Sequence, residues 1–205
     1  MDAIAADKKK QATRTGIKNA LLRLMEKKSY HDISVPDIVL KASVARCTFY
    51  RHFPDKDSLL LACCNDCFED LNDRMQSGDT ATFHGMSLTY FNYWAERKDF
   101  LMLLARQELL GFFQAHYDSF LRDVADRSRR DAGSDAPPAK VLYHFFCSMS
   151  AMSGILMYWL GSGCTESAEE LSQYYVSFIA EGSRGDADCR FYAQHGRYEF
   201  DPCYV

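Results

Sequence analysis

The chain has 205 residues, 47% hydrophobic and 14% aromatic, which is long and apolar enough to bury a sizeable core and excludes a disordered chain. Its net charge of −4 is uneven: residues 1–60 carry twelve Lys and Arg against seven Asp and Glu, whereas residues 61–205 carry twelve against twenty-one. A basic N-terminal quarter on an acidic body is typical of a protein that binds a polyanion with one end; a solvated basic helix is the alternative.

The N-terminal segment and the cysteines together predict a cytoplasmic protein. The lysines of MDAIAADKKK follow the few apolar residues instead of preceding them, so we expect no signal peptide. Eight cysteines without a secretory signal indicate reduced thiols and not a disulfide framework.

The first long helix is predicted for residues 8–28. Its apolar residues recur at helical spacing and predict one buried face: Ile17, Ala20, Leu21, Leu24 and Met25. Basic residues near its start are candidates for phosphate contacts, or else form a solvated tail: Lys8, Lys9, Lys10 and Arg14.

A helix-turn-helix is predicted for residues 34–53. Ser34 and Asp37 have the spacing of a capping box at the start of a short helix, and the small residues 42–45 form the turn into a second one. In that second helix Phe49 and Phe53 lie four residues apart and should face the core. The remaining side chains are then free to face a DNA groove. Pro54 should end this helix, and Asp55 should cap the next, which runs to about residue 77.

The strings SVPDIVLKASV (residues 34–44) and TFYRHFPDKDSLL (residues 48–60) resemble the DNA-binding domain of the TetR family of bacterial transcriptional regulators. The resemblance covers about residues 13–64. It departs from the family pattern twice: Ser43 stands where the family generally has a turn glycine, and Ala45 where a serine or threonine often starts the recognition helix. Ser43 must therefore adopt whatever backbone conformation the glycine relieves, at a cost of about 1 kcal/mol if φ is positive, and we expect no cap or phosphate contact from Ala45.

The resemblance implies an all-α fold, with an N-terminal helix-turn-helix DNA-binding domain (1–60) and a C-terminal helical ligand-binding and dimerisation domain (61–205). It also implies backbone phosphate contacts for Tyr50 and Lys56, with Thr48 near phosphate or base. Arg46 is our candidate for reading a base edge, since Arg pairs bidentately with guanine. Arg51 and His52 either hold phosphates or are solvated. The full predicted DNA-binding set is Ser34, Arg46, Cys47, Thr48, Tyr50, Arg51, His52 and Lys56.

From residue 81 to residue 130 the pattern is helical throughout and rich in aromatic residues. These aromatics form either a plain core or a pocket for a small apolar or aromatic effector. The candidate pocket residues are Tyr90, Trp94, Phe112, Phe113 and Tyr117.

Residues 141–160 form a twenty-residue run without a formal charge. Its length permits a membrane span, but its serines and Gly154, and the DNA-reading segment elsewhere in the chain, favour a helix packed in the protein. We therefore expect no membrane partner. The last helix is predicted for residues 166–181, with Thr165 as its cap. By resemblance, the last two long helices of each subunit form the interface of a homodimer.

Cys63, Cys64 and Cys67 lie in the helix that follows the helix-turn-helix, and Cys64 and Cys67 have C-x-x-C spacing. A redox or metal switch is one interpretation, and packing of small apolar residues is the other. We predict no metal site, no cofactor and no catalytic set, since neither a partnered serine nor a Gly-rich phosphate loop is recognisable.

The sequence thus predicts a DNA-binding transcriptional repressor that a small apolar or aromatic effector releases from its operator. One alternative is a regulator that senses oxidant or metal through cysteine. The other is a protein-interaction module whose basic end is incidental.

Overall fold

The computed structural model describes the backbone of residues 2–78, 82–132 and 139–184, and the side chains of residues 7–78, 82–131 and 139–180. Within these ranges the α-helices are α1 Asp2–Met25, α2 Val35–Ala42, α3 Arg46–His52, α4 Lys56–Ser77, α5 Phe83–Glu96, α6 Lys98–Arg106, α7 Leu110–Ala132, α8 Ala139–Gly161 and α9 Ala168–Arg184. A 3-10 turn covers Tyr30–Asp32. The prediction of an all-α protein is confirmed. The predicted loop residues 133–138 and the tail beyond residue 184 lie outside the described residues.

The local signals around the helix-turn-helix act as the sequence predicts. The Asp37 N–H donates to the Ser34 hydroxyl and the Asp37 carboxylate accepts from the Ser34 N–H, which closes the capping box at the start of α2. Ser43 ends α2 at φ +55°, in the left-handed region. Ala45 precedes α3 and makes no side-chain cap. Asp55 accepts the Ser58 N–H at 2.6 Å and caps α4.

Apolar residues of α1, α2 and α3 form the core behind the helix-turn-helix. Ile17 and Leu21 of α1, Ile38 of α2 and Phe49 of α3 have no exposed surface, and Phe53 is 2% exposed. Helices as short as α2 and α3 are unstable alone in water, so this burial is what holds them. The basic outer face of α3 is thereby presented from a fixed core.

The described chain divides into two compact units. One comprises the residues up to 69 together with 103–117, and the other comprises the described residues of 70–102 and those from 118 onward. Helices α4, α6 and α7 each contribute residues to both units. The boundary predicted at residue 60 is a functional division and remains a prediction.

In the second unit α5 packs chiefly against α9, and α8 packs against both. The buried side chains between them include Tyr90 and Trp94 of α5, Leu156 of α8 and Tyr175 of α9. Helix α9 begins later than the sequence suggested, because Ser167 and not Thr165 supplies its cap. The Ser167 hydroxyl accepts the Glu170 N–H at 3.3 Å, and the Glu170 carboxylate accepts the Ser167 N–H at 2.8 Å.

Helix α8 is long and apolar enough to cross a membrane by length and composition, a test that core helices of other proteins also pass. It is buried along one side only. Met149, Met152 and Leu156 are buried, whereas Tyr143 is 71% exposed and Tyr158 is 78% exposed. The exposed side is therefore an apolar surface within a single copy of the chain.

Candidate nucleic-acid interface

The outer face of α3 carries most of the predicted DNA-binding residues. Arg46, Cys47, Tyr50 and Arg51 are exposed, and Thr48 is half-buried. Phe49 and Phe53 point inward with their ring centroids 6.0 Å apart, as predicted. The amphipathic pattern of this helix thus places hydroxyl and guanidinium groups together on the solvent side.

Arg46 and Tyr50 form a linked pair one helical turn apart. The Arg46 guanidinium donates to the Tyr50 hydroxyl at 3.4 Å and lies over the Tyr50 ring at 5.6 Å from its centroid. Both contacts restrict the Arg46 side chain. A restricted guanidinium loses less conformational entropy when it pairs with a base edge or a phosphate.

The basic start of α1 lies beside the end of α3. The Arg14 guanidinium sits over the Phe53 ring, 4.8 Å from its centroid, and Lys10 is one turn further along α1. His52, at the end of α3, is half-buried, and its pKa is lowered by desolvation and by the charges of Arg51, Lys10 and Arg14. These four side chains therefore form a cationic cluster, which extends the basic surface of α3 onto α1.

Ser34 is engaged within the fold. Its hydroxyl donates to the Asp37 carboxylate at 2.7 Å and accepts the Asp37 N–H, while Lys28 donates to the same carboxylate at 2.9 Å. The Ser34 hydrogen bonds, followed by Lys28, hold the pKa of Asp37 far below its usual range. A DNA contact by Ser34 remains a prediction.

Lys56 also has partners within the fold. Its ammonium group donates to the carbonyls of Tyr30 at 2.6 Å, Ile33 at 2.9 Å and, at the longer distance of 3.5 Å, His31. It also lies 4.2 Å from the centroid of the Tyr30 ring. These bonds fix the segment that leads into α2. The predicted phosphate contact of Lys56 would thus compete with its own carbonyl partners.

Sequence reasoning missed the role of Tyr30 and Gln107. The Tyr30 N–H donates to Gln107 Oε1 at 2.7 Å, and Gln107 Nε2 donates to the carbonyl of Met25 at 2.6 Å and that of Lys28 at 3.3 Å. The Tyr30 hydroxyl donates to Asp57, and burial followed by this bond strongly raises the pKa of Tyr30. Gln107 follows α6 and is remote in sequence, so no local pattern pointed to it.

Next to this contact lies an open, polar cleft of about 420 Å³ in the first unit. Basic and acidic side chains are mixed along it, and its lining comprises Met25, Glu26, Lys27, Lys28, Ser29, His31, Arg106, Gln107 and Glu108. It shares no residue with the predicted effector pocket.

The predicted pocket residues divide between the two units. Tyr90 and Trp94 belong to the second, where their rings meet edge to face at 6.4 Å. The other three belong to the first, where Phe113 and Tyr117 stack on each other and both contact Phe68. All of the five except half-buried Phe112 are buried. Within each unit the observed arrangement is that of a packed aromatic core, and the pocket remains a prediction.

Cys63 and Cys64, two of the three cysteines of α4, are poor candidates for redox or metal chemistry. Cys64 has no exposed surface and Cys63 is 6% exposed. Burial raises the pKa of Cys63 to about 12 and raises that of Cys64 further, so neither forms the reactive thiolate at neutral pH. Over the described side chains no group of three or more His, Cys, Asp or Glu residues is arranged to hold a metal ion.

Three side chains in the second unit follow one another as the serine, histidine and carboxylate of a hydrolase catalytic triad do. Ser172 Oγ lies 3.1 Å from His84 Nδ1, and Glu169 lies 3.8 Å from the other ring nitrogen. Ser172 has no exposed surface, however, and its hydroxyl is also 2.7 Å from that of Ser87. A substrate has no access to such a hydroxyl, so these residues fasten α5 to α9.

Comparisons with known proteins agree with this geometry. Residues 17–63 match the family model of bacterial regulatory proteins, tetR family, and residues 81–181 match a model of a transcriptional regulator C-terminal region. No curated protein matches the chain.

Several solved structures have the same fold. A TetR transcriptional regulator from Streptococcus agalactiae is 27% identical, with a TM-score of 0.59 over 86% of this chain and 98% of its own. The dihydroxyacetone kinase operon activator DhaS is 25% identical, with a TM-score of 0.53 over 84% of this chain and 96% of its own. The fatty acid degradation regulator FadR from Bacillus halodurans is 14% identical, with a TM-score of 0.55 over 84% and 96% of the two chains, and shows the fold alone.

These neighbours are transcriptional regulators and not enzymes, and regulators of this type bind DNA operators as dimers. The two family models together span most of the described chain, and the helix-turn-helix described above falls within the first of them. The chain belongs to the TetR family of bacterial transcriptional regulators.

Proposed function

We propose that this protein is a cytoplasmic homodimeric repressor that binds an operator through α3 and is released from it by a small apolar or aromatic effector. The observation that carries the DNA-binding part is the outer face of α3. There the linked pair Arg46 and Tyr50 is exposed on a helix held by a fixed core. Beside it lies the cationic cluster, of which Lys10 and Arg51 are exposed and Arg14 and His52 are half-buried. Tyr50 and the cluster meet phosphates, which position the protein, and Arg46 reads a base edge.

The test of these roles compares Arg46→Ala with Tyr50→Phe. Selection of bound fragments from random duplexes first gives the operator sequence. Affinities for operator and for scrambled DNA are then measured at several salt concentrations. Tyr50→Phe, which removes only the hydroxyl, should weaken binding to both duplexes, whereas Arg46→Ala should lose about 1–3 kcal/mol of preference for the operator. Equal losses on both duplexes for Arg46→Ala would remove it as the base reader.

The exposed apolar sides of α8 and α9 support dimerisation through these helices. On α8 the exposed residues include Tyr143 and Tyr158, and on α9 Tyr174 is 59% exposed and Phe178 is 60% exposed. In an isologous interface this surface of one copy would pack against the same surface of the other, so both would be buried. The two-fold axis would then place the α3 helices one DNA turn or a multiple apart, facing a near-palindrome.

Sedimentation velocity tests this interface. Phe178→Glu and Tyr158→Glu should shift the protein to monomers and weaken operator binding, whereas Gln76→Glu, at an exposed position of α4, is the control. A dimer that persists in both glutamate variants would refute the proposed interface.

The effector part of the proposal rests on the five aromatic residues predicted to line a pocket, of which Tyr90 and Trp94 lie in the second unit. It also rests on α4, a continuous helix that begins beside the DNA-reading surface and ends in that unit. An effector acts only through its different affinity for the operator-bound and free conformations. The relative DhaS is named an operon activator, so repression is tested directly. A reporter behind the selected operator should be silenced by the protein; increased expression would make it an activator.

The two other functions predicted as alternatives are weighed by the same experiments. The burial of Cys63 and Cys64 disfavours the cysteine-based sensor, and peroxide or zinc should affect operator affinity equally in wild type and in a variant with Cys63, Cys64 and Cys67 replaced by Ser. A protein-interaction module with an incidental basic end would show affinity for duplex DNA that does not depend on salt.

A further inference from the structure

The cationic cluster of Lys10, Arg14, Arg51 and His52 contains one member whose charge is variable. Lysine and arginine keep their charge at any physiological pH, whereas histidine gains or loses its proton near neutrality. His52 follows Arg51 at the end of α3, and its ring lies 6.2 Å from that of Phe53, against which the Arg14 guanidinium of α1 also packs. The charge of this surface therefore depends on the state of His52.

In the free protein, partial burial and three neighbouring cations lower the pKa of His52. Helix α1 contributes Lys10 and Arg14, and α3 contributes Arg51, all of them cations, while partial burial removes part of the water that would solvate an imidazolium. Within the described side chains, Lys10, Arg14 and Arg51 form no ion pair with an acidic residue. The cations beside His52 are therefore without a carboxylate partner among the described side chains, and their charges oppose its protonation.

A DNA backbone phosphate reverses this balance. Placed against the cluster, it offsets the charges of the three permanent cations and gives the imidazolium an anion to pair with. We infer that operator binding is coupled to the uptake of one proton by His52, so that the affinity for DNA falls as the pH rises. This inference rests on the proposed function and adds a regulatory property to the same surface.

The sign follows from linkage. If the complex binds a proton more tightly than the free protein, affinity is highest and constant below the pKa of free His52. It then falls by up to tenfold per pH unit between that pKa and the pKa in the complex, and levels off above both. Because the pKa of free His52 lies below its ordinary value of 6.5, the fall should begin on the acid side of neutrality.

The first experiment measures the Kd for the selected operator by fluorescence anisotropy from pH 5.5 to 8.5 at constant ionic strength. His52→Gln keeps a side chain of similar size that stays neutral. It should match the weaker binding of the wild type at high pH and show a pH slope smaller by up to one proton. His31→Gln, an exposed histidine of the 3-10 turn, is the control and should retain the wild-type slope.

The second experiment follows the imidazole signal of His52 in the wild-type protein by NMR, with and without operator. The pKa should be higher in the complex. An equal or lower pKa in the complex, or the same pH slope in wild type and His52→Gln, overturns the proton coupling. If the wild type binds no duplex at any pH, the proposed function itself has failed, which is a different outcome from binding without a pH slope.

Discussion

Lys56→Met distinguishes a structural role of Lys56 from its predicted phosphate contact, because Lys56 has hydrogen-bond partners inside the fold. The substitution keeps the apolar stem and removes the hydrogen bonds at 2.6 and 2.9 Å to the carbonyls of Tyr30 and Ile33, together with the contact of the ammonium with the Tyr30 ring. Bonds from a charged donor contribute about 1.5–3 kcal/mol each, and a cation–π contact about 0.5–1 kcal/mol. For this half-buried site we take the low end and expect a loss of about 3 kcal/mol in the free energy of unfolding.

The assay is urea unfolding followed by circular dichroism at fixed protein concentration. With a slope of about 2 kcal/mol per molar urea, the midpoint should fall by roughly 1.5 M. Lys9→Met is the control, since Lys9 is exposed at the basic end of α1. It should leave the midpoint unchanged and reduce only the salt dependence of DNA binding. A Lys56→Met protein with an unchanged midpoint and a reduced salt slope would refute the structural role and restore the phosphate contact.

The remaining predictions concern other sites. Gln107→Leu should lower the stability of the first unit by about 1–3 kcal/mol in urea unfolding, because the Tyr30 N–H and the Met25 carbonyl lose their partner; an unchanged midpoint would show that water replaces it. Ser43→Gly should raise the free energy of unfolding by up to about 1 kcal/mol, since glycine accepts φ +55° without strain, and Glu108→Gly, at φ +58°, is a matched case. Asp37 has a pKa far below its unfolded value of about 3.8, so its contribution to stability is present above that pH and is lost on further acidification; Asp37→Asn should flatten the acid side of the plot of Tm against pH. Iodoacetamide at pH 7.5 should label the exposed Cys47 and spare Cys63 and Cys64, and mass spectrometry that finds Cys63 or Cys64 labelled first would contradict their burial.

The helix-turn-helix was predictable because its determinants are local. The capping box at Ser34, the left-handed conformation of Ser43 and the inward rings of Phe49 and Phe53 each depend on residues within one or two helical turns. A sequence displays such relations directly as spacing. The predicted cap of α9, Thr165, is wrong because two good capping residues lie close together. Ser167 caps the helix, since Glu170 follows it by the three residues that a capping box needs.

The contacts that connect remote segments were not predictable. The family resemblance predicts a phosphate contact for Lys56, but no sequence pattern shows the carbonyls that the 3-10 turn brings to its ammonium group. The association of Lys10 and Arg14 with the end of α3 likewise depends on how α1 packs. A residue type and its spacing along a helix show which face it occupies, but its neighbours come from the tertiary fold.

The contact between Tyr30 and Gln107 spans 77 residues of sequence, which affects when the N-terminal helices can fold during synthesis. During synthesis the N-terminal helices leave the ribosome long before Gln107 does, so the DNA-reading helices emerge without that support. A fragment that stops at residue 60 would remain permanently in this early condition, without Gln107 and without Phe68. We expect the nascent N-terminal segment to stay only partly ordered, and to become competent for DNA only after α6 has been synthesised.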